Sequence, residues 1–220
     1  VSFAERKFNV KLIGLGLPLH TVCDIVKCAE QIFAGLARFE VFDLNSKLEL
    51  KGFSKLRLLP YRFNKLMAKL TYWYAKNFGF AVSPDSFLAL ASLVADITGF
   101  DCAVIVAPIK SYQAFLGEIF GASDYTGIRF PRAAFVPLLS LFEKCPSYEV
   151  FINRASKLIA HEVAHVLGLK DCFSPLCVMM GRGGLEVLDH IPPSFCASCF
   201  FKLLSKASKT SQLTRMKRCV

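Results

Sequence analysis

No stretch constrains this 220-residue chain more than residues 161–179, H-E-V-A-H-V-L-G-L-K-D-C-F-S-P-L-C-V-M. His161 and His165 stand four apart, so on a helix their imidazoles share one face, one turn above the other. That spacing suits a zinc ion, and Glu162, directly after the first histidine, can reach a water held there. Gly168 can adopt the left-handed turn that ends the helix and sends the chain back beneath the metal. A third ligand is expected three residues further on, where the chain carries Asp171 in place of a histidine. Three arrangements are open at that point. Asp171 ligates zinc itself, aspartate being an accepted zinc ligand; or it is too short to reach, leaving a weak two-histidine site without catalysis; or His190 swings in.

A second cluster begins at the next residue. Cys172 and Cys177 form a C-x4-C pair, and Cys196 and Cys199 form a C-x2-C pair 18 residues later. Structural zinc takes four tetrahedral ligands, commonly supplied as two close pairs, so these four cysteines read as a structural zinc site. Nine cysteines in all are an odd set for a secreted disulfide framework, and the metal reading implies a reducing, cytoplasmic setting. The remaining five read as core residues or spare thiols.

With 54% apolar and 20% charged residues the chain can bury a sizeable core. No uninterrupted apolar run approaches the ~18–20 residues of a membrane span, so no membrane partner is expected. The apolar stretch near the start is broken by Lys11, Gly14, Gly16 and Pro18, and reads as a first strand of a cytoplasmic protein, not a leader peptide. The net charge of +10 is concentrated between Lys47 and Lys76 and after Asp189. We read both basic regions as solvated surface; nucleic acid is not an expected partner, since no recognised nucleic-acid module surrounds them.

Along the chain, Phe8–Leu17 reads as a strand, Thr21–Arg38 as a helix N-capped by Thr21, and Phe39–Leu44 as a second strand, a β-α-β opening that implies an α/β sheet. Lys47–Pro60 alternates like an edge strand. Beyond Pro60 comes an amphipathic helix with Phe63, Leu66, Met67, Leu70 and Trp73 on its apolar face and Arg62, Lys65, Lys69 and Lys76 on another. Ser83-Pro84 opens a helix closed by Gly99. Ala103–Ala107 is a buried parallel strand, 110–132 is irregular, and Phe135–Phe142 is a strand that Pro137 assigns to an edge or a bulge. Tyr148–Leu167 is the long helix carrying the histidines. Little regular structure is expected from there to Phe195, then a short helix and a basic tail.

The pattern H-E-x-x-H-x-x-G-x-x-D-C-x4-C-x-M…C-x-x-C resembles the archaemetzincins, a metzincin-type metalloprotease family that usually has histidine where Asp171 stands. The matching positions are His161, Glu162, His165, Gly168, Cys172, Cys177, Met179, Cys196 and Cys199. The likeness is strong over 154–199 and looser upstream, where Ile119-Phe-Gly-Ala122 and the apolar segment 133–142 are similar to the segments preceding the active-site helix. It implies an α/β fold: a metzincin-like mixed twisted sheet with a long active-site helix, and a small irregular C-terminal subdomain bound by the four-cysteine zinc. It implies one domain over 1–199, with an upper lobe (1–168) and a lower lobe (169–199), followed by a short helix and basic tail (200–220). It further implies two zinc ions, one catalytic (His161, His165, Asp171) and one structural. Met179 would form the methionine turn beneath the catalytic metal, with Met180 as the neighbouring candidate. The expected function is a monomeric zinc metallopeptidase in which Glu162 assists the attack of a zinc-bound water on peptide bonds. The alternative is a catalytically inactive zinc protein whose basic surface binds an acidic partner or nucleic acid. One further expectation is that Gly117–Phe130 forms an edge strand pairing with extended peptide substrate.

Overall fold

The computed structural model of the protein describes residues 7–42, 44, 55–79, 81–113, 117–123, 130–181 and 184–217. Strand β1 (Phe8–Gly14), helix α1 (Leu19–Ile32) and strand β2 (Ala37–Val41) form the expected β-α-β opening. Helices α2 (Lys55–Phe78) and α3 (Asp85–Thr98) then lead to β3 (Cys102–Ala107). A hairpin of β4 (Ser111–Gln113) and β5 (Gly117–Ile119) precedes β6 (Ala122–Ser123) and β7 (Ala133–Pro137). Helices α4 (Leu139–Glu143), α5 (Tyr148–Val166), α6 (Leu185–His190) and α7 (Ala197–Lys217) complete the chain.

The main sheet has the order β2-β1-β3-β7-β6; the first four strands run parallel and β6 is an antiparallel edge. Because side chains alternate across a strand, the sheet serves two cores. Val10, Leu12, Val104, Val106, Ala134 and Val136 pack under α1 and α5. Ile13, Ala103, Ile105, Ala107, Ala133 and Phe135 pack under α2 and α3. Strand β3 lies in the middle and is buried on both faces, which is why C-A-V-I-V-A is apolar at every position. Phe135 stacks on Phe87 of α3 with ring centroids 4.4 Å apart, tying the sheet to that helix.

Several elements differ from the sequence expectation. Helix α1 begins at Leu19 after Pro18, so Thr21 is a buried helical residue and not the cap. The helix ends at Ile32, where Ala34 (φ 47°) and Gly35 (φ 85°) turn the chain into β2, so Arg38 belongs to that strand. The edge strand expected over Lys47–Pro60 lies outside the described residues up to position 54, and from Lys55 the chain is helical. Strand β7 starts and stops earlier than expected: it ends at Pro137 and α4 follows. Pro137 sits beyond the reach of β6, whose pairing stops at Phe135, so its missing N–H costs the ladder little. A short α6 occupies the segment expected to be irregular, and α7 continues to Lys217 where a tail was expected.

Helix α2 buries a narrow line and turns its large apolar side chains outward. Its buried line is Tyr61, Ala68 and Ala75, seven residues apart. The apolar face read from the sequence, Phe63, Leu66, Met67, Leu70 and Trp73, points outward, each 39% exposed or more. Two alanines on the buried line let α2 approach the rest of the fold closely.

Candidate metal and active site

Helix α5 opens with Ser147, whose hydroxyl accepts the Val150 N–H at 3.3 Å. It closes at Gly168 (φ 85°), the left-handed turn that the sequence placed there. The chain then doubles back, and the Cys172 N–H donates to the Met179 carbonyl at 2.8 Å. This return loop brings three carbonyl and carboxylate groups under the end of α5.

Each histidine is oriented by one of those carbonyls. Nδ1 of His161 lies 3.0 Å from the Val178 oxygen, and Nδ1 of His165 lies 2.9 Å from the Leu169 oxygen. A carbonyl only accepts, so both Nδ1 atoms carry the proton and both Nε2 atoms present lone pairs. Those two Nε2 atoms face each other at 2.9 Å, and Oδ1 of Asp171 lies 3.6 and 3.2 Å from them. Two lone pairs and a carboxylate converging this closely repel one another unless a cation sits among them. Burial pushes the His161 imidazolium down, against the opposing pull of the Val178 carbonyl and Asp171, so a proton is poorly suited to that task. The residues present therefore fit a zinc ion, and Asp171 lies within reach in place of the histidine. His190, exposed at the end of α6, is not part of this donor group.

Glu162 points from the same turn of α5 and is buried. Burial raises its carboxyl above the usual carboxylate range and Asp171 raises it further, while a hydrogen bond with Ser123 of β6 and the nearby His165 lower it. Gly121, just before β6, is pressed against it: a Cβ there would stand 2.3 Å from Oε1 of Glu162. Gly181 has the same relation to Asp171, with a Cβ 2.3 Å from Cγ. Neither glycine has a positive φ, so close approach, not backbone freedom, is what requires glycine at both. Beside His161 and Glu162 opens a pocket of about 150 Å³, walled by Phe120, Leu158, Leu185 and Leu188.

That pocket's α6 wall is held by two buried cations. Arg154 donates through Nε and Nη2 to both carboxylate oxygens of Asp189 at 2.7 and 2.6 Å, and through Nη1 to the Lys144 carbonyl at 2.7 Å. Lys157 donates to the Leu188 carbonyl at 3.0 Å. Arg154, Lys157, Gly181 and Ser123 are not singled out by sequence, and Gly121 only as part of the segment Ile119–Ala122. A signal existed for the first two: Arg154, Lys157, His161 and His165 recur at helical spacing on one stripe of α5.

The four cysteines converge as expected, their sulfurs all within 4.8 Å of one another. Cys196 and Cys199 straddle the start of α7, and the Cys199 N–H, followed by its neighbouring sulfurs, holds the Cys196 thiol down to about 7. Burial pushes Cys177 and Cys199 up. The Cys196 N–H donates to Sγ of Cys177 at 3.3 Å, and the Ser174 N–H approaches Sγ of Cys172 at 3.5 Å. Backbone N–H groups aimed at sulfur are the surroundings of a thiolate cluster, and this donor set fits a structural zinc. Met179, on the loop between the two sites, is fully buried in the core, and Met180 lines the pocket.

This fold is that of solved archaemetzincins. The structure of archaemetzincin from Methanopyrus kandleri superposes with a TM-score of 0.57 at 20% identity, over 92% of this chain and 96% of that one. Archaemetzincin from Archaeoglobus fulgidus gives 0.54 at 20% identity, over 89% and 99%. The model of Peptidase family M54 matches residues 91–205, more than half of the chain, and the chain belongs to that family. Archaemetzincin of Saccharolobus solfataricus is 35% identical over 100 residues, 44% of this chain and 54% of that protein. Archaemetzincin-2 of Rattus norvegicus is 33% identical over 93 residues, 40% of this chain and 26% of that protein. The chain thus spans about half the length of the archaeal relative and about a quarter of the rat one.

Proposed function

We propose that the chain is a zinc-dependent metallopeptidase that hydrolyses peptide bonds. The observation that carries this reading is the pair of histidines whose Nδ1 protons are committed to carbonyls, so that both Nε2 atoms turn toward Asp171 beside a buried glutamate. Under it, His161, His165 and Asp171 hold the catalytic zinc, and Cys172, Cys177, Cys196 and Cys199 hold the structural one. When bound, the catalytic zinc supplies Lewis acidity to water and to the peptide carbonyl. Glu162 takes the proton from the attacking water and returns it to the leaving amine. Burial serves that exchange, because it raises the Glu162 carboxyl above the usual carboxylate range and so makes it a better proton acceptor. Met179 forms the turn beneath the catalytic site; its full burial beside Val178, which orients His161, supports this. Residues 1–168 act as an upper lobe and 169–199 as a lower one. The free cysteines and thiolate cluster support a reducing, cytoplasmic setting.

Substrate recognition is assigned to the sheet edge. The expected single edge strand over Gly117–Phe130 is instead two short strands, of which β5 pairs within its own hairpin, and 124–129 lie outside the described residues. Strand β6 ends the main sheet next to Gly121 and Glu162, so an extended peptide pairing there would pass over the catalytic carboxylate. Proline at Ala122 or Ser123 is expected to abolish cleavage while zinc content is kept; undiminished cleavage would refute the assignment.

The central test is cleavage of a mixed peptide library by zinc-loaded protein beside Glu162→Ala, with metal content measured on both. Two zincs in each and a ~100–10,000-fold slower variant are expected, the usual yield of a positioned general base. Identical product profiles from the two proteins would sink the mechanism.

A further inference from the structure

We propose that the outward face of α2 docks the protein on an anionic lipid surface. At roughly 100° per residue, Phe63, Leu66, Met67, Leu70, Trp73, Tyr74 and Phe78 fall within an arc of about 140°, facing away from the buried line of Tyr61, Ala68 and Ala75. All seven are between 39% and 62% exposed, and together they make an outward ridge of large apolar side chains on one helix. Its C-terminal end is an aromatic group: Phe78 lies 5.9 Å from Trp73 and 4.9 Å from Tyr74, centroid to centroid. Along one flank run the exposed cations Arg62, Lys69 and Lys76. Between Leu50 and Pro84 the chain has seven Lys or Arg and no Asp or Glu.

Charge complementarity selects the occupant. The wide apolar arc ends in Trp, Tyr and Phe and is interrupted only by Asn77, with cations along one flank, uncharged Thr71 and Asn64 on the other and no acidic residue on the helix. That is the composition of a helix lying in the plane of a bilayer interface, its ridge among the acyl chains and its cations at anionic headgroups. A protein partner of mixed charge would find no acidic residue on α2 to meet its own cations. The helix lies along the headgroups without crossing: among the described residues no helix is long and apolar enough to span a membrane. Lying along the surface needs no such span. Helix α2 covers the sheet face opposite α5, so docking leaves the His161–Glu162 cleft open.

Trp73 is the only tryptophan in the chain and sits in the proposed contact, so its emission reports docking directly. The full chain is titrated with vesicles of phosphatidylcholine alone and of phosphatidylcholine with 30% phosphatidylserine, following Trp73 emission and co-sedimentation, with oligomeric state measured in parallel. Expected are a blue shift and sedimentation with the anionic vesicles, weakened by salt. Affinity should fall about fivefold for Arg62→Ser and at least about tenfold for Leu70→Glu, whose side chain is 49% exposed and whose unfolding should match wild type. No sedimentation with either vesicle overturns the proposal. So does anionic binding that leaves Trp73 emission and the Leu70→Glu affinity unchanged, which would be diffuse attraction to a basic protein. A wild-type dimer that Leu70→Glu dissociates also overturns it, since a second copy then covers the ridge.

Discussion

Two glycines show how tightly individual residues are fitted around the site. Gly121 and Gly181 each leave just enough room for a carboxylate, Glu162 and Asp171 respectively. Glu162 is buried and held by a hydrogen bond with Ser123 of β6, so a Cβ at position 121 would push it off that partner toward the neighbouring pocket. Under the proposed function, Gly121→Ala is therefore expected to displace the Glu162 carboxylate and lower peptidase activity at least ~10-fold, as loss of a positioned base does. Zinc content and thermal unfolding should match wild type, which separates displacement of Glu162 from loss of the fold. Asp171 is 59% exposed on its side chain, so Gly181→Ala has the softer consequence of turning Asp171 away and weakening the proposed site at His161 and His165.

At the scale of elements, the junction between α5 and α6 is polar where one would expect apolar packing. Arg154 is buried and makes three hydrogen bonds, two to Asp189 and one to the Lys144 carbonyl, so one side chain fixes α6 and the end of α4 against α5. The Arg154 guanidinium holds the Asp189 carboxyl below the usual carboxylate range. A carboxyl depressed in the folded state contributes stability that is present above its unfolded value, near pH 4, and is lost as pH falls through the folded value. Asp189→Asn is expected to cost about 2 kcal/mol at neutral pH, the scale of hydrogen bonds to a charged group. The gap from wild type in denaturant unfolding should stay constant above about pH 5 and close below pH 4. A gap independent of pH down to 2 would mean that the charge of Asp189 is not what holds α6.

For the whole molecule, the four-cysteine site closes the return of the chain onto α7. Cys172 and Cys177 lie on the loop after α5, Cys196 and Cys199 at the start of α7, and under the proposed function a zinc held there would join the two segments. Ligand binding to the native state stabilises by about 4 kcal/mol at a thousandfold excess over Kd, so removing zinc is expected to lower Tm by ~10 °C. Cys199→Ser should reproduce most of that loss and reduce zinc from two per chain to one. Chelation that removes both metals without moving Tm would show that the fold closes on packing alone.

Local chemistry explains what was legible in the sequence. Helix spacing brings His161 and His165 together, Gly168 does turn left-handed, and the two cysteine pairs do meet. The α/β architecture was likewise legible, because an all-apolar β3 has a stable place only in the middle of a covered parallel sheet. Tertiary contacts decided the rest. Periodicity marks the apolar line of a helix but not what covers it, so the outward turn of α2 had no sequence signature. The close approach of Gly121 to Glu162, the clamp from Arg154 to Asp189 across 35 positions and the arrival of Asp171 at two imidazoles each join segments distant in space until the chain has folded. Sequence determined which residues could meet a metal, Asp171 among them; only the packing of the return loop beneath α5 decided that this aspartate faces both imidazoles.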